Sequence, residues 1–291
     1  MQYHYYLYGM RVTADLDFVQ LDPVRLPEDD RDFGREKLRS RAMDEEEEAQ
    51  FRKEHGDCVC GSFLGTEKGW LCNRTLAMSV ERGQVIRYHI RKGGDPGAVR
   101  TYLLGFGIAM LSLQQGKLPI HCSALATPEG GAILIAGESG AGKSTLTAEL
   151  LKRGYRFLAD DMAVVDISGK EGVWVYPAFP YMKLCRDVVL RQGYPPEELL
   201  YIDEKKDKFL VPCTGVFQRE KARLERFVFL GIRWKKEAED KSGKIKAEKI
   251  TGPDSMIVYK DNLFLRLLWK TQGPGMEIWQ NCLKIAEQLP V

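Results

Sequence analysis

The feature that most constrains this chain of 291 residues is the run Gly137-Glu-Ser-Gly-Ala-Gly-Lys-Ser144. It matches the pattern G-x-x-x-x-G-K-[ST] and follows the short apolar run 132–136. The next segment, 143–153, has leucines at helical spacing and ends before Gly154. A buried strand, a glycine-rich loop and a helix in this order predict an α/β fold built around a largely buried sheet.

This loop is typical of a phosphate-binding cradle, known as a P-loop. Its glycines allow backbone N–H groups to point into one concavity at a helix N-terminus, where an anion is favoured. Lys143 would bring a positive charge to the β- and γ-phosphates, and the Ser144 hydroxyl could ligate Mg²⁺. We therefore predict ATP and Mg²⁺ as cofactors, with nucleotide-binding residues Gly137, Glu138, Ser139, Gly140, Ala141, Gly142, Lys143, Ser144 and Thr145.

Two adjacent carboxylates, Asp160 and Asp161, end the strand region that follows the helix of the P-loop. Ligand sites of α/β proteins lie at the carboxyl ends of strands. Such a pair can divide its work, one carboxylate acting on a metal ion and the other on an attacking hydroxyl group. An Asp pair alone is often only a turn, but the preceding P-loop favours a functional pair.

The segment from His121 through the P-loop to Glu149-Leu-Leu-Lys-Arg-Gly-Tyr-Arg-Phe-Leu-Ala-Asp-Asp161 resembles the catalytic domain of HPr kinase/phosphorylase and its relatives. The resemblance implies a P-loop kinase domain of HPr-kinase type, a mixed sheet with flanking helices. It also implies that Asp160 is a general base on a seryl hydroxyl and that Asp161 and Ser144 hold Mg²⁺. His121 and Lys143 then complete the expected catalytic residues.

A closer likeness is to the HPr-kinase-like enzymes of ribosomal peptide gene clusters, including kinases of lasso-peptide precursors. It rests on Tyr6-Leu-Tyr-Gly9, His121-Cys-Ser-Ala124 and the run Tyr176-Pro-Ala-Phe-Pro-Tyr-Met-Lys-Leu184. The likeness implies an ATP-dependent serine kinase whose partner is a peptide substrate, expected to be phosphorylated on a C-terminal serine. It also makes a homo-oligomer plausible. Lys183, Arg186 and Lys208 are candidate substrate- or phosphate-binding cations.

Two alternatives remain open. One is an HPr-type protein serine kinase that acts in carbon regulation. The other, of a different class, is a regulatory module that senses ATP and transfers nothing. The chain contains no N-K-x-D base-reading motif and no L-S-G-G-Q signature, which argues against a GTPase and an ABC-type ATPase. His55, Cys58, Cys60 and Cys72 lack the usual Cys-x₂-Cys spacing of zinc sites.

We expect two domains, a β-rich N-terminal domain at 1–94 and the P-loop domain at 95–291. Within the first, the charge-dense segment of about 28–57 is typical of a solvated helix or a mobile insertion. The runs 70–80 and 84–90 suggest a hairpin around Glu81-Arg-Gly83.

The second domain is expected to open with a buried helix from Asp95-Pro96 to about Gln115. The run 118–126 is expected to form one strand.

The composition indicates which partners and which cellular location to expect. A net charge of +2, with 43 basic and 41 acidic side chains, argues against nucleic acid or an anionic membrane as a partner. The longest apolar stretch, 102–113, is shorter than the roughly 20 residues of a membrane span. Seven cysteines, an odd number, suggest reduced thiols, so we expect a cytoplasmic protein.

Overall fold

The computed structural model describes residues 2–21, 37–56, 60–138, 140–169, 172–203, 207–232, 246–269, 275–289 and 291. Its N-terminal part is a seven-stranded sheet in the order β1-β2-β3-β7-β6-β5-β4. Only β3 pairs in parallel, with β2 on one side and β7 on the other. The sheet confirms the β-rich N-terminal region, and its strands are β1 (Tyr3–Leu7), β2 (Met10–Ala14), β3 (Lys37–Ala42), β4 (Gly61–Leu64), β5 (Lys68–Cys72), β6 (Leu76–Glu81) and β7 (Val85–Ile90).

The charge-dense segment differs from the expectation. Residues 37–42 form the central strand β3, and helix α1 (Glu45–His55) follows it, whereas 28–36 lie outside the described residues. Leu38 and Ser40 of β3 are buried and Arg39 is exposed, so the strand keeps the alternation of a half-buried sheet. The prediction of a helix was therefore correct for α1, and the prediction of an insertion was wrong for β3.

The predicted hairpin is present, with Glu81 paired to Val85 across a turn in which Arg82 and Gly83 have φ of 50° and 64°. The first predicted run, 70–80, is however divided between β5 and β6. Asn73 divides it, because its Oδ1 accepts hydrogen bonds from the backbone N–H groups of Thr75 and Leu76.

A helical segment connects the two parts of the chain. It consists of α2 (Pro96–Tyr102), a π-helical turn (Leu103–Gly107) and α3 (Ile108–Gln114). The Asp95 side chain caps it by accepting from the Ala98 N–H, with Pro96 in the first turn, as expected. Its 19 residues are long and apolar enough for a membrane span by length and composition, but half of the window is buried inside the protein.

Within the described residues, the second sheet also has seven strands, in the order β11-β9-β10-β17-β13-β12-β8, of which only β10 and β17 pair in parallel. Helix α4 (Lys143–Lys152) follows β10. The strands of this sheet and of a smaller third sheet are β8 (Leu118–Ile120), β9 (Ser123–Ala126), β10 (Gly131–Gly137), β11 (Arg156–Ala159), β12 (Ala163–Asp166), β13 (Trp174–Tyr176), β14 (Tyr181–Cys185), β15 (Leu200–Asp203), β16 (Lys208–Pro212) and β17 (Ala222–Leu230).

The expectation of one strand over 118–126 was wrong. The chain leaves β8 at one edge of the second sheet and enters β9 near the other edge after only His121 and Cys122. A second crossing, from β11 to β12, takes place at 160–162. Because two or three residues cannot span an open sheet, the sheet must be strongly curled, and both crossings lie where its two ends approach each other.

Strand β10 is buried on both faces, which explains its unbroken apolar sequence. Leu134 belongs to the large core that also contains Leu103 of the connecting helix and Met78 of the N-terminal sheet. Ile133 and Ile135 face a second core, formed with the three-stranded sheet β14-β16-β15. The other helices of the described residues are α5 (Arg186–Arg191), α6 (Gly252–Asp261) and α7 (Met276–Gln288), with 3₁₀ turns at Pro196–Glu198, Thr214–Val216 and Arg266–Trp269.

These elements confirm the predicted class, an α/β fold with a mixed sheet, flanking helices and a β-rich N-terminal region. The proposed division at 94/95 stays a prediction.

Candidate functional site

The P-loop begins where β10 ends, at Gly137. This residue has φ of 142°, and a Cβ atom there would lie 2.4 Å from the backbone oxygen of Leu230 on β17. Gly140 and Gly142 have φ of 83° and 94°, and apart from chain neighbours no atom of the described residues lies within 4 Å of where their Cβ atoms would be. Glycine at 137 lets the loop leave the sheet, and the other two leave open space inside it.

The loop ends at the N-terminus of α4. Gly142 is the N-cap residue, and no side chain of the described residues caps the helix, so its first N–H groups have no such partner there. Ser144 and Thr145 are partly buried in this first turn, and Ser139 lies outside the described residues. An uncapped helix N-terminus beside a glycine loop is suited to hold an anion.

Lys143 folds back over its own loop. Its Nζ donates to the backbone oxygens of Gly137 at 2.7 Å and Glu138 at 2.9 Å. Burial lowers the pKa of Lys143, the charge of Asp160 opposes that change, and the charge of Lys208 adds to it. The loop lysine, Lys208 and the Asp pair are therefore within electrostatic reach of one another.

The Asp pair lies in the crossing between β11 and β12, and the sheet register places this crossing beside the one between β8 and β9. Ile120 is paired with Ala163, and Ala124 with Ala159. The residues between these pairs, 121–123 and 160–162, must then face each other. The register alone brings His121 and Ser123 to the Asp pair.

Both carboxylate oxygens of Asp160 accept hydrogen bonds. Oδ1 accepts from the Ser123 hydroxyl at 2.7 Å, and Oδ2 accepts from the backbone N–H of Lys183 at 2.9 Å. A carboxylate has about four lone-pair directions, so Asp160 retains capacity for a further donor. These two contacts fix the orientation of the carboxylate.

Asp161 is held by charge. Its Oδ2 lies 2.8 Å from Nζ of Lys183, and its Oδ1 lies 3.8 Å from Nδ1 of His121. Burial raises the pKa of Asp161, but the ammonium of Lys183, then His121 and Lys208, more than offset it. The pKa of Asp161 is consequently far below its ordinary value, and the carboxylate stays ionised.

His121 bridges the two crossings and the C-terminal part of the chain. Its Nδ1 lies 2.7 Å from the backbone oxygen of Asp161, so Nδ1 carries the proton and donates it. Its backbone N–H donates to the oxygen of Asn262 at 2.7 Å, and its ring lies 6.0 Å from that of Phe264. This position makes His121 a support for the Asp161 backbone.

The predicted cations divide into two groups. Lys183 contacts both Asp residues, and the charge of Lys208 acts on Asp161 and Lys143. Arg186 instead forms two hydrogen bonds with Asp207, at 2.8 and 3.0 Å, and lies over the Phe209 ring. Among the described contacts, Arg186 is thus directed at Asp207 and away from the Asp pair.

Sequence reasoning missed one neighbour of the Asp pair, Ser123, and two neighbours of His121, Asn262 and Phe264. Ser123 was within the quoted His121-Cys-Ser-Ala124 run, but the run gave it no role. Asn262 and Phe264 are far from the P-loop in sequence, and no local pattern marks them. The zinc alternative includes His55 and Cys58 among its candidate ligands. His55 packs between the rings of Phe51 and Trp70, and Cys58 lies outside the described residues.

Comparison with known proteins gives a match to part of this site. The family model of the HPr Serine kinase C-terminal domain matches residues 118–177. HPr kinase/phosphorylases of Streptococcus salivarius and of Streptococcus pyogenes serotype M5 (strain Manfredo) are each 47% identical over 49 residues. That alignment covers 17% of this chain and 16% of each relative.

The Hpr(Ser) kinase/phosphatase of Coxiella burnetii aligns with 46% of this chain and 76% of its own, at 15% identity and a TM-score of 0.27. A likeness at this TM-score adds nothing to the fold, which rests on the elements of this chain alone. The segment matched in sequence contains the P-loop, His121, Ser123 and both Asp residues. The chain is thus similar to HPr kinases, and the family model locates this similarity in residues 118–177.

Proposed function

We propose that this protein is an ATP- and Mg²⁺-dependent kinase that phosphorylates a serine hydroxyl of a peptide. The observation that carries this proposal is the Asp160–Asp161 turn beside the P-loop, where Lys143 and the Asp pair interact through their charges. An ATP sensor needs the P-loop, but it does not need a carboxylate with a fixed orientation next to it. The HPr kinase-like sequence of 118–177 supports the same reaction class.

In this reaction Asp160 is the general base. The serine oxygen attacks the γ-phosphorus, its proton passes to the Asp160 carboxylate, and the bond from the γ-phosphorus to the bridging oxygen of ADP breaks. Ser123 and the Lys183 N–H hold this carboxylate in place. The loop N–H groups and Lys143 would hold the phosphates, because the transition state needs positioning and charge neutralisation more than covalent help.

The residues present fit a Mg²⁺ ion. Asp161 is an ionised carboxylate that already accepts a cation, the ammonium of Lys183, at 2.8 Å. Asp161 and Ser144 would hold the ion, since Mg²⁺ prefers oxygen ligands. When bound, Mg²⁺ neutralises charge on the phosphate oxygens. Lys183 and Lys208 would then contact phosphate or substrate. Arg186 would have a peripheral role, because it is paired with Asp207.

For the substrate we propose a precursor peptide with a C-terminal serine, as in lasso-peptide tailoring. The sequence resemblance on which this rests includes Tyr6-Leu-Tyr-Gly9 and 176–184, both outside or at the edge of the matched segment 118–177. The match itself favours HPr as the alternative substrate. We also propose a cytoplasmic location and a homo-oligomeric assembly.

Intact mass spectrometry would distinguish these substrates. A serine-terminated precursor peptide and HPr would each be incubated with the protein, ATP and Mg²⁺, and the same peptide ending in alanine would be the control. We expect one phosphate on the serine-terminated peptide and none on the alanine control. Phosphate on HPr alone would favour the HPr-type kinase, and ATP binding without transfer to either would favour the sensor.

A further inference from the structure

The turn that carries the Asp pair has a backbone conformation that must be held from outside. Asp161 has φ of 67°, in the left-handed region that residues with a side chain rarely occupy. Such a conformation persists only where surrounding contacts impose it. The contacts that impose it therefore influence where both carboxylates point.

Two consecutive carbonyl groups of this turn are held by side chains from distant parts of the chain. The backbone oxygen of Asp161 accepts from His121, at 2.7 Å. The next one, of Met162, accepts from the hydroxyl of Tyr8 at 2.9 Å, and this hydrogen bond is buried. Tyr8 comes from the first turn of the N-terminal sheet, 154 residues away in sequence.

Tyr8 is itself fixed in place. It lies in the turn between β1 and β2, where Tyr8 and Gly9 have φ of 52° and 74°. Its backbone N–H donates to the oxygen of Pro177 at 2.9 Å. Gly9 packs so closely on Tyr176 that a Cβ atom there would lie 2.4 Å from the ring atom Cδ1. The hydroxyl therefore reaches Met162 from a rigid support.

The phenol is also suited to be a permanent donor. Tyr8 is 1% exposed, and burial, reinforced by the charge of Asp161, raises its pKa far above the ordinary value. The hydroxyl is therefore protonated at neutral pH and available as a donor. A carbonyl oxygen can only accept, so the pairing of Tyr8 with Met162 is chemically matched.

We propose that Tyr8 is a positioning residue for the Asp160–Asp161 pair, acting through the Met162 carbonyl group. The proposal rests on the proposed function, since it gives the N-terminal sheet a part in the geometry of phosphoryl transfer. His121 donates a hydrogen bond to one carbonyl group of the left-handed turn, and Tyr8 donates one to the next. The sheet then contributes to catalysis even where it touches no substrate.

The test compares Tyr8→Phe with Tyr88→Phe in the full-length protein. Tyr88 is a matched control because it is a buried tyrosine of the same sheet whose hydroxyl donates to Asp15 at 2.7 Å. Both variants lose one hydroxyl group and one hydrogen bond. Three quantities are measured for each, namely thermal stability, ATP affinity with and without Mg²⁺, and kcat and KM for the peptide.

For Tyr8→Phe we expect the ATP affinity measured without Mg²⁺ to be unchanged. The Mg²⁺ concentration that gives half of the maximal increase in ATP affinity should rise about tenfold, as for residues that orient metal ligands. We expect kcat to fall about 10- to 100-fold, because small displacements of catalytic groups have effects of this size. KM for the peptide should stay within about twofold. Tyr88→Phe should lower thermal stability only. Tyr8→4-aminophenylalanine, which keeps a donor, should restore part of the loss.

Equal behaviour of the two phenylalanine variants, with kcat and the Mg²⁺ dependence both unchanged, would overturn the proposal. The Mg²⁺ dependence separates it from the proposed function. If the wild-type protein transfers no phosphate but binds ATP in a Mg²⁺-dependent way, a shift in Tyr8→Phe would still support the positioning role. If Tyr8→Phe fails to fold, Tyr8→4-aminophenylalanine is used in its place. This variant has a weaker donor than tyrosine. If its kcat and its Mg²⁺ dependence both equalled those of the wild type, the proposal would be contradicted.

Discussion

Among the described hydrogen bonds, only those of Lys183 reach the carboxylates of both Asp160 and Asp161. Its backbone N–H donates to Asp160, and its ammonium group lies against Asp161. The sequence indicated Lys183 only as a candidate cation for binding substrate or phosphate. It could not reveal the role of the backbone N–H, because that role depends on how β14 lies beside the turn at 160–162.

We predict that Lys183→Met moves the acid limb of the kcat profile to higher pH. Burial raises the pKa of Asp161, and without the ammonium of Lys183 the remaining charges of His121 and Lys208 offset less of it. The carboxyl group then keeps a proton up to a higher pH than in the wild type, and it must lose that proton to ligate a metal ion. At pH 7 we also expect kcat to fall about 10- to 100-fold through lost positioning.

Steady-state rates from pH 5 to 9 would measure this, with Arg186→Met as the matched control. Arg186 is a neighbouring cation whose hydrogen bonds go to Asp207, so its removal should leave the acid limb in place. An unchanged acid limb in Lys183→Met, or an equal shift in both variants, would contradict the electrostatic description of Asp161.

At the scale of elements, the unexpected strand β3 is secured by the helix that follows it. Glu47 in the first turn of α1 accepts from Arg41 of β3 at 2.7 Å and forms an ion pair with Arg87 of β7 at 2.8 Å. Its side chain also accepts from the backbone N–H of Asp44, completing a capping box. Arg41, one of the basic residues of the charge-dense segment, is thus a partner of an acidic helix.

We predict that Glu47→Gln lowers the free energy of unfolding by about 1–2 kcal/mol at pH 7, the order of a charge-assisted hydrogen bond that is partly exposed. The hydrogen bond from Arg41, opposed by burial, lowers the pKa of Glu47 below its ordinary 4.5. Its contribution is therefore complete above pH 4.5 and declines as the pH falls through the folded-state value.

Urea unfolding at several pH values would test this, with the exposed Glu45→Gln in the same turn as a control. The difference between wild type and Glu47→Gln should shrink in acid, whereas Glu45→Gln should have a small effect throughout. A difference that stays constant down to pH 3 would show that Glu47 stabilises the protein without its charge.

The elements show which sequence signals were reliable. The P-loop strand and helix, the Asp95 cap and the turn at Arg82-Gly83 depend on neighbouring residues, and the sequence predicted all of them. The division of 118–126 and the central position of β3 depend on pairing with distant strands. A local pattern carries no record of such pairing, although the division is what places His121 in the site.

At the scale of the whole molecule, the N-terminal sheet and the P-loop sheet share one core. Gly107 of the connecting helix is so near Ile86 that a Cβ atom would lie 3.0 Å from its Cδ1. Buried residues of both sheets and of the helix belong to the same cluster. No local sequence pattern indicates that the two proposed domains share a core, because the sharing depends on contacts between residues far apart in sequence.

We predict that the two parts unfold in one transition, because separating them would expose this shared apolar surface. Unfolding in urea would be followed by tryptophan fluorescence in two variants. One keeps only Trp70, in β5, and the other keeps only Trp174, in β13. Coincident midpoints are expected. Two midpoints that differ by more than about 0.5 M, well outside the usual error of a transition midpoint, would indicate that 1–94 and 95–291 fold independently.

The central claim is that Asp160 turns a nucleotide-binding loop into a phosphoryl-transfer site, and Asp160→Asn tests it most directly. ATP affinity by calorimetry and transfer to the serine-terminated peptide would be measured on the same samples, with Asp166→Asn, at the end of β12, as control. We predict ATP affinity within about twofold of wild type and a roughly 10²- to 10⁴-fold loss of transfer, the usual contribution of a general base. Transfer at the wild-type rate by Asp160→Asn would contradict the account.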